Sequence, residues 1–114
     1  MSRHDQTLRL KHMLDHAREA VEMCANRSRK DLDSDRVFEL ALVRLLEIVG
    51  EAANRVPKNT QQEDPDIGWA QIIAFRNRLI HGYDQVDLDI LWQIIQVDLP
   101  PLIERLEKLI ARQE

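Results

Sequence analysis

The stretch from Val37 to Ala53 constrains the fold more than any other part of the chain. Val37, Phe38, Leu40, Ala41, Leu42, Leu45, Leu46, Ile48, Val49, Ala52 and Ala53 recur at three- and four-residue spacing. They spread over most of a helix circumference, and a helix apolar on most sides is buried against several neighbours. Other helices must therefore surround it. Glu39, Arg44 and Glu47 interrupt the stretch, so it does not read as a membrane span. The spacing predicts a helix from about Asp35 to Arg55, with Asp33 or Ser34 able to cap it and Pro57 closing it.

Three more helices are expected around it. The first runs from about Gln6 to Asn26, with Leu10, Met13, Leu14, Ala17, Val21, Cys24 and Ala25 as its stripe. A polar connection, Ser28 to Asp33, follows it, and Lys58 to Asp66 reads as a loop. The third helix starts near Asp66, a candidate N-cap, and runs to about His81, with Gly82 placed to end it in a left-handed conformation. The fourth starts near Asp87 and carries Leu88, Leu91, Ile95, Leu99, Leu102, Leu106, Leu109 and Ile110. Pro100 and Pro101 inside it predict a kink or break. The expected fold is all-α, an up-and-down four-helix bundle over residues 1–114 as one domain.

Composition excludes other classes. Three glycines among 114 residues leave few turns for a β-sandwich or a doubly wound sheet. One cysteine cannot make an internal disulfide or a cysteine-cluster metal site, which suits the cytoplasm. The first fifteen residues hold Arg3, His4, Asp5, Arg9, Lys11 and Asp15, which leaves no room for a signal-peptide apolar region. A formal net charge of -4 counts against a protein that coats nucleic acid. It does not count against a small basic cleft, and Arg76, Arg78 and His81 are the residues expected to make one.

Packing does not explain Phe75-Arg76-Asn77-Arg78-Leu79-Ile80-His81-Gly82-Tyr83-Asp84, the densest polar constellation in the chain. Arginine offers a fork of donors that matches phosphate, and histidine exchanges a proton near neutral pH. Those are the parts for phosphodiester chemistry on RNA, where a base takes the ribose 2′-OH proton and cations stabilise the charge on phosphorus. On a regular helix, residues five apart lie about 140° from alignment, so Arg76 and His81 do not stack. Either His81 swings at the helix end, or a second copy of the chain completes the site. A histidine in a last helical turn can also do no more than interact with the helix dipole.

Arg76, four residues, His81, one residue and Tyr83 resemble the Arg-x4-His-x-Tyr signature of the HEPN superfamily, above all its HepT-like branch, the toxin partner of MNT-type nucleotidyltransferases. Leu45-Leu46-Glu47-Ile48-Val49-Gly50-Glu51-Ala52-Ala53 resembles that branch's second helix. Ile67-Gly68-Trp69-Ala70-Gln71-Ile72-Ile73 is similar to its lead-in, with Gly68 where proline is common, and Val86-Asp87, Trp92 and Asp98-Leu99-Pro100-Pro101-Leu102 resemble its fourth helix. The resemblance implies a HEPN bundle that dimerises and cleaves RNA as a metal-independent endoribonuclease toxin, without a cofactor. It implies Arg76 and His81 as the catalytic pair, Asn77 as an auxiliary polar residue and Tyr83 as the tyrosine that the antitoxin nucleotidyltransferase modifies with AMP. Glu51 is a second auxiliary candidate, because it falls in the matching Gly-Glu-Ala stretch. Homodimers can assemble further with the antitoxin into hetero-oligomers. The alternative is an inactive or weakly active HEPN module that docks on a nucleotidyltransferase.

Other residues carry less. His12 and His16 have a metal-compatible spacing but only two ligands. Glu47 and Glu51 are either acids near the site or an exposed edge paired with Arg44 and Arg55. Trp69 and Trp92 are expected in core packing or at a dimer interface rather than in base stacking, and Cys24 in the core. Asp84, Asp87 and Asp89 can cap the fourth helix or attract a basic surface.

Overall fold

The computed structural model describes residues 2–83 and 85–114; Asp84, one of the candidate caps, lies outside the described residues. The chain folds as α1 (Arg3–Met23), α2 (Asp31–Ser34), α3 (Arg36–Asn54), α4 (Lys58–Gln61), α5 (Trp69–Ile73), α6 (Phe75–Leu79), α7 (Leu88–Gln93), a π-helical turn (Ile94–Asp98) and α8 (Leu99–Gln113). It is an all-α bundle. Among the described residues the only extended pairing is an isolated antiparallel bridge between Ile80 and Val86. Among the described residues no helix is long and apolar enough to cross a membrane.

α1 packs on α3 and α8, and α3 also takes α5 and α6 against it. The stripes meet where the spacing places them. Leu10, Met13 and Ala17 from α1, Leu42, Leu46 and Val49 from α3, and Leu99, Leu106 and Leu109 from α8 are sealed from water. α1 is shorter than expected at its C-terminal end. Cys24 and Ala25 donate to Val21 and Glu22, a tightened last turn that stops the helix and leaves Ala25 exposed. Cys24 is 4% exposed, and burial pushes its thiol up to about 11.

Asp35, rather than Asp33 or Ser34, caps α3. Asp33 and Ser34 belong to α2, and Asp33 pairs with Arg29 at 3.1 Å. Asp35 is extended and its Oδ1 accepts the Phe38 N–H at 3.1 Å. The Arg27 guanidinium joins Asp35 at 2.8 Å and stacks over the Phe38 ring at 3.9 Å. α3 is not buried all round, since Val37 is 77% exposed and Leu40 50%.

The expected loop after α3 is tied down. Pro57 opens the short α4, and the Gln61 amide donates to the Ala53 and Val56 carbonyls at the end of α3 and just beyond it. The Trp69 indole N–H donates to the Gln61 and Asp64 carbonyls, while Asp64 holds Arg105 at 2.9 Å.

The third helix departs most from expectation. It begins at Trp69 behind Gly68, without an Asp66 cap, and is divided at Ala74 into α5 and α6. It ends at Leu79, because Ile80 is extended. Gly82, at φ 69°, therefore shapes the turn beyond the helix instead of ending it. Gly50 lets α5 come close, since a Cβ there would stand 2.9 Å from the Ile72 carbonyl oxygen.

The fourth helix is joined from pieces with a bend. Pro100 and Pro101 lack N–H donors, which an uninterrupted α-helix would require there. The π-helical turn lies directly before them, and both prolines fall in the first turn of α8, where missing donors matter least.

Candidate functional site

Arg76 and Asn77 project from α6 into a groove shared with Glu47, Gly50, Glu51 and Asn54 of α3. The Arg76 side chain is 67% exposed, and its Nε lies 3.9 Å from Glu47 Oε2. Arg44 reaches the same carboxylates, at 4.0 Å from Glu47 and 3.6 Å from Glu51. Glu51 is thus an exposed edge residue with Arg44 as partner, and Glu47, the more enclosed of the two, is the acid that meets Arg76.

His81 lies outside the helix, in the turn between α6 and α7. Its backbone N–H donates to the Gln85 carbonyl at 2.8 Å, and the Gln85 N–H returns to the Gly82 carbonyl at 3.0 Å. With Tyr83 and Val86 it borders a second groove, whose other wall is Arg36 and Glu39 at the start of α3. The imidazole is half-exposed, with Nε2 3.5 Å from Asp87 Oδ2. The Asp87 carboxyl is held below its usual range, first by the Ile90 N–H that it caps and further by His81. Tyr83 is fully exposed and sits at φ 40°, a region that non-glycine residues rarely adopt.

The structure therefore sets the five candidates along one helix, α3, in two neighbouring grooves. Arg76, Asn77 and Glu51 share one, and His81 and Tyr83 share the other. Among the described residues no hydrogen bond or ion pair joins Arg76 to His81. Arg78 is turned elsewhere: it pairs with Asp98 at 3.3 Å and lies over Phe75, on the α8 side. It does not join Arg76 in a basic cleft.

Asp87 is the contact that sequence reasoning missed, because its role as a cap hid its second oxygen. His16 Nδ1 faces the His12 carbonyl at 2.6 Å rather than a shared ligand. Trp69 is buried as expected, and Trp92 is partly buried against the core. Among the described residues no group of three or more His, Cys, Asp or Glu side chains could hold a metal ion.

An all-α bundle with an arginine and a histidine on the turn-bearing flank of its central helix defines a class of small helical proteins with a polar surface site. The sequence model described as Ribonuclease HepT-like matches residues 13–109, and the chain belongs to that family. A protein of Thermococcus cleftensis named "Probable ribonuclease HepT" is 34% identical over 103 residues, 87% of this chain and 94% of that one. A Methanocaldococcus jannaschii protein named as a "putative RNase" is 28% identical over 107 residues, 94% of this chain and 98% of that one. A protein of Caldanaerobacter subterraneus subsp. tengcongensis with the same description is 30% identical over 105 residues, 92% and 94% of the two chains. No solved structure matches.

Proposed function

We propose that this chain is the endoribonuclease toxin of a HEPN/MNT toxin–antitoxin pair, acting in the cytoplasm as one HepT-like unit over its whole length. Membership in the ribonuclease family supports RNA as the substrate. Arg76 stabilises charge at the scissile phosphate and His81 moves the proton, without a metal. Asn77 and Glu51 border the Arg76 groove as auxiliary groups.

One observation carries the composite site. Arg76 and His81 are both more than half exposed on one flank of α3, yet occupy separate grooves in a single chain. A homodimer that brings one chain's Arg76 toward the partner's His81 closes that gap. Exposed Val37 and Leu40 supply apolar surface for the pairing. Tyr83, fully exposed at the turn tip, is the acceptor for AMP from the nucleotidyltransferase antitoxin. The added phosphate would put a negative charge beside His81 and obstruct RNA.

The second reading, a module that docks on a nucleotidyltransferase without cleaving, is favoured by the Glu47–Arg76 contact, which places a carboxylate where RNA phosphate must come. Purified protein incubated with RNA in EDTA separates the two. Cleavage by the wild type and its loss in His81→Ala support the enzyme; equal cleavage by both overturns the His81 assignment, and no cleavage by either favours the docking module.

A further inference from the structure

Asp87 fastens the turn that carries His81 to the start of the last helix. Its backbone N–H donates to the Leu79 carbonyl at 2.7 Å, and its Oδ1 accepts the Ile90 N–H at 3.0 Å as the cap of α7. Capping needs one side-chain oxygen and no charge, because Asn and Ser cap as well as Asp. The chain has a full carboxylate here, and its second oxygen stands 3.5 Å from His81 Nε2. The His81 backbone is pinned on Gln85, so the ring has little freedom except about its own side-chain bonds.

We infer that Asp87 is a positioning residue for His81: its uncommitted oxygen holds Nε2, fixes the ring plane and leaves Nδ1 to face RNA. The inference rests on His81 acting in cleavage. A carboxylate oxygen accepts from an imidazole N–H, so a contact at this distance orients the ring for proton transfer. Among the described residues, the charged and titratable groups facing the ring are Arg36 and Glu39 from α3, and Tyr83 and Asp87 from its own segment. Arg36 lies 3.8 Å from Glu39. Among the described residues, Asp87 is the acid in contact with the imidazole.

Asp87→Asn tests this, because the amide keeps the cap and removes the charge. The probe is a fluorophore–quencher single-stranded RNA containing all four nucleotides, cleaved in EDTA. The expected variant melts within about 2 °C of wild type, since the cap survives. Its kcat falls about 10- to 100-fold, as for loss of an orienting partner, with KM within about twofold. Asp87→Ala loses the cap too, so it also melts lower. Wild-type kcat in Asp87→Asn overturns the inference, as does a loss confined to KM. Cleavage by His81→Ala would instead overturn the reading on which it rests.

Discussion

Tyr83 combines full exposure with a backbone angle that costs about 1–2 kcal/mol for a residue with a Cβ. Nothing in the core compensates that cost, since the ring packs against no buried neighbour. Tyr83→Phe keeps the same backbone preference and removes only the hydroxyl. It should cleave RNA and melt like wild type, and intact mass after incubation with the cognate nucleotidyltransferase and ATP should show no added AMP. Labelling of the Phe variant would move the acceptor elsewhere. At this scale the motif was legible, because arginine, histidine and tyrosine at fixed spacing stand out on an apolar segment. The company each keeps was not. Glu47 meets Arg76 only because α6 lies on α3, and Asp87 meets His81 only because Ile80 leaves the helix.

The elements follow their stripes where the stripes are long. α1, α3 and α8 each repeat apolar residues over four or more turns, so periodicity outweighs local detail. The third helix departs from its pattern because the eleven residues from Trp69 to Leu79 hold two short helices, and the break at Ala74 leaves little trace in the sequence. The approach of α5 to α3 depends on Gly50. Gly50→Ala improves local helix propensity by up to about 1 kcal/mol. It also forces a methyl to 2.9 Å from the Ile72 carbonyl, and overpacking of that kind costs about 1–3 kcal/mol. The second effect should win, giving a net loss in urea unfolding. Because α5 leads into α6, cleavage should fall further than stability alone explains, through displacement of Arg76. A variant as stable and active as wild type would mean that α5 shifts freely.

On the scale of the whole molecule, a net charge of -4 and RNA as substrate stand in tension. The proposed reading resolves it by concentrating function on one flank of α3, where exposed Val37 and Leu40 lie beside the two grooves. If two chains meet there, Leu40→Glu should yield a monomer by sedimentation, with cleavage lost and the α-helical circular dichroism retained, because the residue is not part of the monomer core. A dimer that persists would place the interface elsewhere. The same arrangement limits the grip on RNA. Arg78 is committed to Asp98, so in the proposed dimer the candidate phosphate contacts are the two copies each of Arg76 and His81. For single strands the slope of log K against log salt is about -0.7 per phosphate neutralised, which gives about -3 at most for four contacts. Binding of the inactive His81→Ala variant, which keeps two arginines, should be shallower still, near about -1.5. A much steeper slope would show that RNA lies across some other, more basic face, and that the acidic body is not what restricts it.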